Sequence, residues 1–236
     1  MITEILQQSL IEREFYLKNI EKYLATPLVK VLIGQRRVGK SSILKSLIKK
    51  LYINKQIPKN NFFYINKELS SFDHIQNYQD LKISFQQFLQ HITPGRIFVG
   101  IDEIQDINEW EKFINGILAE FGEQAEIFIT GSNGFLLSGD LATYLTGRYI
   151  EFPIYPLSFS EFCLFKNEKK DKQNFIEYLQ YGGLPGIFQL QYQPDTISAY
   201  LSSVYDSIVL KDIIMHKKIK EIRFFQDFYK YTFSNI

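Results

Sequence analysis

The sequence predicts an α/β fold: a parallel sheet flanked by helices, followed by a smaller all-helical region. Three observations carry this. A glycine-bracketed loop, GQRRVGKS at 34–41, joins a β-branched run at 28–33 to Ile43, Leu44, Leu47, Ile48 and Leu51 at helical spacing. Short apolar runs then alternate with helical patterns up to about residue 155. From Pro156 onward the pattern is helical only.

The first helical stretch, 3–24, sets Ile5, Leu6, Leu10, Phe15, Leu17, Ile20 and Leu24 among charges, an amphipathic pattern that admits one break and is closed off by Pro27. The loop that follows fits GxxxxGK[ST], in which backbone N–H groups turn inward around a polyphosphate. Gly34 and Gly39 supply the backbone freedom this needs, Gln35 and Val38 complete the turn, and Arg36 and Arg37 add positive charge at its rim. Lys40 is placed to reach the β and γ phosphates and Ser41 to hold Mg²⁺. The helix opening at Lys40, Ser41 and Ser42 points its positive end at the anion. ATP and Mg²⁺ are therefore the expected cofactors.

A second strand is expected at 62–66 (FFYIN), then a helix at about 74–92 and a break at Pro94-Gly95. The third strand, IFVGI at 97–101, delivers Asp102 and Glu103 at its C-terminal end, where a phosphate-loop fold places a carboxylate beside the metal. Asp102 would meet Mg²⁺ directly or through water, and Glu103 would be the general base for the attacking water. A helix at 110–121 ends at Gly122, and AEIFIT at 125–130 forms a fourth strand whose tip offers Ser132 or Asn133 to orient that water. A small-residue helix precedes a fifth strand at 149–152, with Arg148 just before it. Helices follow at 158–166, 171–181 and 194–215, with GGLPG at 182–186 as a turn and Pro194-Asp195 opening the last. The terminal segment places Ile222, Phe225 and Tyr229 on one face beside Phe224, Phe228 and Tyr231, too wide an aromatic surface for water, which implies packing on the helical region or a continuation of the chain.

Composition sets outer bounds. The 236 residues can bury a sizeable core, and a net charge of +1 offers no global field for nucleic acid or an anionic membrane. The 21 Phe and 15 Tyr are scattered along the whole chain, as core-filling residues are. The lone Cys163 cannot form an internal disulfide and no signal peptide is visible, so a reducing cytoplasm is the expected compartment. No apolar run approaches the roughly 20 residues of a membrane span.

Taken together, the loop, the extra strand before IFVGIDE, the acid pair and the polar strand tip resemble the additional-strand, catalytic-glutamate division of P-loop ATPases. GQRRVGKS, IDEIQ with Trp110 shortly after, ITGSN followed by LLS, GR, YPLSFSEF and GGLPG resemble, more narrowly, prokaryotic AAA-type predicted ATPases that usually carry a C-terminal domain of unknown function. The resemblance implies a P-loop NTPase with a five-stranded parallel sheet in the order 5-1-4-3-2. It divides the chain into an ATPase domain at 1–155 and, at 156–236, a helical lid with the start of a truncated C-terminal domain, which SVYDSIVLKDIIMHKKI resembles. Arg148 is similar in position to the arginine finger of AAA ATPases, which implies a homo-oligomer; the plain alternative is a salt-bridging arginine. GGLPG resembles the glycine-proline lid motif of the signal-transduction ATPases called STAND, which puts Pro185 against the adenine. IEREFYL is similar to their N-terminal adenine-side motif and so brings in Arg13 and Glu14, with Glu12 where that motif prefers glycine.

Two functions follow: a Mg²⁺-dependent ATP hydrolase whose turnover drives a conformational change, or a slow nucleotide-gated switch. Glu103 beside Asp102 favours the first and GGLPG the second. No substrate motif supports a small-molecule kinase. Neither Asn54-Lys55 nor Asn66-Lys67 has the aspartate two places later that guanine recognition prefers. A DNA-associated role stays open, without help from the near-neutral charge.

Overall fold

The computed structural model describes residues 1–132, 140–190 and 192–208, together with Phe224, Phe228 and Tyr231. Its centre is a sheet of β1 (Val29–Gly34), β2 (Phe62–Asn66), β3 (Ile97–Asp102), β4 (Ala125–Ser132) and β5 (Tyr149–Pro153) in the order β2-β3-β4-β1-β5, with every pairing parallel. This is the expected 5-1-4-3-2 read from the other edge. β1, β2 and β3 are buried along their whole length, which is why they read as unbroken apolar runs.

Alternate residues feed two cores. Leu32, Tyr64, Phe98 and Phe128 face a layer built by α1 (Ile2–Gln7), α2 (Glu14–Glu21) and α3 (Lys40–Ile53). Val31, Ile33, Val99, Ile101, Ile127 and Ile129 face α4 (Tyr78–Leu89), α5 (Trp110–Phe121) and α6 (Asp140–Tyr144). The N-terminal amphipathic stretch is two helices, with residues 8–13 as the break. The helix expected at 74–92 begins only at Tyr78, because Asn77 accepts from the N–H groups of Gln79 and Asp80 while Asp80 accepts from Asn77 N–H, a reciprocal cap that defines a start.

The helical region holds α7 (Phe159–Lys166), α8 (Lys172–Tyr181) and α9 (Pro194–Ser207) around a small core of Phe162, Cys163, Ile187 and Ile197. Ser158 and Glu161 form a second reciprocal cap at the start of α7. The helix expected to run to 215 is described as far as Ser207; its remainder, and Ile222, Phe225 and Tyr229, lie outside the described residues. Phe224, Phe228 and Tyr231 are exposed.

At the end of the sheet opposite the loop, Lys30 and Glu126 are both fully buried and meet at 2.8 Å. Glu126 also accepts from Arg96 and from Ala25 N–H, and Lys30 donates to Thr26 O at 3.2 Å. Breaking a buried pair strands a charge without water, at about 3–5 kcal/mol. Glu126→Ala should therefore lower the unfolding free energy by roughly that amount, and Glu126→Ala with Lys30→Met should recover part of it, as read by denaturant unfolding.

Candidate functional site

β1 ends at Gly34, the loop turns through residues 35–39, and α3 starts at Lys40. Gly39 stands at φ 98°, left-handed backbone that costs a residue with a side chain on the order of 1–2 kcal/mol. It precedes α3 with no side-chain cap, so the first-turn N–H groups face the loop rather than a capping oxygen. Val38 is fully buried and anchors the turn. The Lys40 ammonium is buried, donates to Gly34 O at 3.0 Å and Gln35 O at 3.2 Å, and lies 3.8 Å from Glu103 Oε1. Burial pulls its pKa below the ordinary lysine value, opposed by the charges of Glu103 and Asp102.

The acid pair is built by three neighbouring strands. Asp102, fully buried, receives Thr130 Oγ1 on Oδ1 and Tyr64 OH on Oδ2 at 3.1 Å. Burial, then the Asp102 charge, pushes the Tyr64 phenol well above its usual range, so it stays a donor. Glu103 takes a left-handed backbone at φ 58°, its N–H donating to Thr130 Oγ1 at 3.1 Å. Its Oε2 accepts from Gln105 Nε2 at 2.6 Å. Burial raises the Glu103 pKa, with Lys40 and the Gln105 bond acting against it. Thr130, Tyr64 and Gln105 escaped the sequence reading. Gln105 stands in the quoted IDEIQ run, whereas nothing local marks the other two.

A cavity of about 570 Å³ is lined by Arg36, Arg37, Lys40, Ser41, Glu103 and Pro185, among others. A second, of about 260 Å³, adjoins it through Gly39, Ser42, Pro185 and Gln189 and is walled by Leu10, Ile11, Ile43, Phe165 and Phe188. The two cavities thus gather Arg36, Arg37, Gly39 to Ser42, Glu103 and Pro185 around one site, while Gly34, Gln35, Val38 and the fully buried Asp102 line neither. Pro185 opens a short 3-10 turn, and its Cγ sits 3.7 Å from where a Cβ on Gly39 would stand. Gly186 next to it lies against the Tyr200 ring and hydroxyl, so a Cβ there would force that side chain to shift. Tyr200 also faces the Arg37 guanidinium at 5.4 Å, so α9 reaches the loop rim.

Arg13 lines the smaller cavity, on the side where the resemblance puts the adenine, and protein acceptors hold its guanidinium there. Its side chain is 3% exposed, and the guanidinium donates to Glu161 through Nε and Nη2, to Val38 O and Tyr155 O through Nη1, and to Pro156 O through Nη2. All five N–H donors are spent on protein acceptors, leaving none for a nucleotide. Arg13 thereby ties Val38 of the loop to Tyr155, Pro156 and α7. Glu14 is exposed and pairs with Lys18. Arg148 is exposed, bonds Asn115 Oδ1 and Thr146 Oγ1, and stands just before Tyr149, which pairs with Val29 at the start of β1. Five residue steps of about 3.3 Å separate that end from Gly34, so Arg148 does not serve its own chain's loop. Ser132 pairs with Gly34 at the end of β4, and Asn133 lies outside the described residues.

Comparison with known proteins agrees with this architecture. A family model described as an AAA domain matches residues 26–163. An uncharacterised protein of Haemophilus influenzae is 36% identical over 241 residues, covering 98% of this chain and 57% of its own. One from Methanocaldococcus jannaschii is 31% identical, covering 87% of this chain and 46% of its own. The chain thus spans about half the length of these curated relatives. Among solved structures, the S. cerevisiae Hsp104-ADP complex superposes with a TM-score of 0.56 at 16% identity, covering 99% of this chain and 41% of Hsp104. The S. cerevisiae Hsp104:casein complex gives 0.51 at 18% identity, covering 90% and 41%; both show the shared fold. No helix among the described residues is long and apolar enough to cross a membrane. With its parallel sheet, glycine loop and strand-end acids, the chain belongs to the AAA domain family of P-loop nucleotide-binding ATPases.

Proposed function

We propose that the protein is a Mg²⁺-dependent ATP hydrolase whose nucleotide cycle moves the helical lid. The observation that carries this is Glu103, held 3.8 Å from the buried Lys40 at the wall of a cavity that the phosphate loop also lines. In this reading the loop N–H groups and Lys40 hold the β and γ phosphates, and the more apolar adjoining cavity beside Pro185 takes the base. The water oxygen attacks the γ phosphorus, Glu103 accepts the water's proton, and the bond to the departing ADP breaks.

The residues present suit Mg²⁺. Thr130 and Tyr64 each take one lone pair of Asp102, leaving others on its two oxygens, and Ser41 stands in the first turn of α3. Among the described residues no group of three or more His, Cys, Asp or Glu gathers as an all-protein cage, and Mg²⁺ ordinarily takes one or two protein ligands plus phosphate oxygens. When bound, the ion would neutralise charge developing on the phosphates. Asn133 or Ser132 would orient the attacking water. Arg148, remote from its own loop, would act on a neighbouring subunit's nucleotide in a cytoplasmic homo-oligomer.

A second reading, a slow nucleotide-gated switch, is favoured by the Arg13 network, which couples Val38 of the loop to α7 of the lid. Steady-state turnover separates the two: many cycles per minute supports the hydrolase, one slow cycle the switch. Assaying with and without DNA tests the DNA-associated alternative.

Lys40→Ala removes charge-assisted bonds worth about 1.5–3 kcal/mol each, so affinity for a fluorescent ATP analogue should fall more than tenfold; wild-type affinity would contradict the assignment. Glu103→Gln should bind normally and lose about 10²–10⁴ in turnover, measured by phosphate release. Arg13→Ala should cost about 3 kcal/mol in denaturant unfolding, with Arg13→Lys recovering only part because lysine lacks the planar fork.

A further inference from the structure

We infer that Thr130 is a positioning residue for the acid pair, locking Asp102 and Glu103 into one relation through a single hydroxyl. The inference rests on the hydrolytic reading above. A hydroxyl carries one hydrogen and accepts through its lone pairs. Glu103 N–H points at Thr130 Oγ1 from 3.1 Å, so that side of the oxygen must accept. The one hydrogen is then committed to Asp102 Oδ1. The direction of both bonds is set by the groups around Thr130 and not by its own rotamer.

The surroundings make the bridge hard to replace. Thr130 and Asp102 are fully buried and Glu103 is 6% exposed, so bulk water cannot substitute for the hydroxyl. The residue after β3 would continue the strand unless something held it otherwise. Here Glu103 stands at φ 58°, and this turn directs its carboxylate to within 3.8 Å of Lys40. The Thr130 oxygen accepts the Glu103 N–H in this geometry. Gln105 fixes the far end of the same side chain, and Tyr64 holds the other oxygen of Asp102. Thr130 thus bonds both acids through its one side chain. It sits on β4 opposite Leu32, two residues before the loop begins at Gly34, and none of its hydrogen bonds reaches residues 34–42. Its loss should therefore disturb the acids and spare phosphate binding.

The test uses Thr130→Val, which keeps the shape and removes the hydroxyl, and Thr130→Ser, which keeps the hydroxyl and removes a methyl, both in the full-length protein. Removing a partner that orients a metal-holding carboxylate costs about 10–100-fold in metal affinity or activity. Thr130→Val should lower kcat by about that factor while KM and affinity for a fluorescent ATP analogue stay within about twofold of wild type. Mn²⁺ affinity in the presence of a non-hydrolysable ATP analogue, read by electron paramagnetic resonance, should weaken in the same variant. Thr130→Ser should restore both. Thr130→Val turnover within about twofold of wild type overturns the inference, as does a loss that Thr130→Ser shares. Where Thr130→Val gives no cooperative unfolding transition, Thr130→Ser decides alone: near-wild-type turnover supports the bridge and a tenfold loss overturns it. Glu103→Gln separates this from the reading it rests on. Undiminished turnover there removes the base itself, whereas an arrested Glu103→Gln with a silent Thr130→Val removes only the bridge.

Discussion

The constraint on which this molecule depends is the register of an all-parallel sheet. Because β1, β3 and β4 run the same way, their carboxyl ends open on one side, and Gly34, Asp102 and Ser132 arrive there together. Hydrogen bonding fixes the steps: Leu32 opposite Thr130, Gly34 opposite Ser132, Asn66 opposite Asp102. A slip of one residue would turn Thr130 and Tyr64 away from Asp102 and send the apolar set of each strand to the wrong layer. The two cores that clamp the sheet therefore also set the geometry of the site.

Two buried lysines show how the same physics serves different ends. Lys30, at the amino end of the sheet, meets Glu126 at 2.8 Å, and Glu126 is further satisfied by Arg96 and a backbone N–H. That group is closed and structural. Lys40, at the carboxyl end, is held by two loop carbonyls and faces Glu103 only at 3.8 Å. Burial lowers the pKa of Lys40 and raises that of Glu103, so each is pressed toward its neutral form. Burial lowers Lys30 as well, to about 7, so what separates the two lysines is the cavity that Lys40 and Glu103 line.

The helical region meets the glycine loop at three points: through Arg13, which bonds both Val38 O and Glu161, at Pro185 beside Gly39, and at Tyr200 beside Arg37. The Arg13 bonds draw the Glu161 carboxyl below its ordinary value even though burial pushes the other way. Five charge-assisted bonds from a planar fork define one orientation between the loop, the β5 exit and α7. One rigid side chain thereby joins Val38 of the loop to Glu161 of α7.

By itself the sequence determined the alternation of strands and helices, the loop at 34–41, the acids after β3 and the glycine-proline turn. Each of these is written in neighbouring residues, as an unbroken apolar run, a period of 3.6 or a fixed local spacing. Likeness to a family supplied the strand order, which local pattern does not contain. Only the tertiary structure decided what Arg13 holds, because its partner Glu161 lies 148 residues away. The same is true of Tyr64 and Thr130, which reach Asp102 across 38 and 28 residues, and of Lys30 and Glu126 across 96. A hydroxyl inside an apolar strand looks like any other strand residue until the register sets a carboxylate opposite it. What a buried polar side chain does is decided by the group it meets, and that meeting is made by folding rather than by sequence proximity.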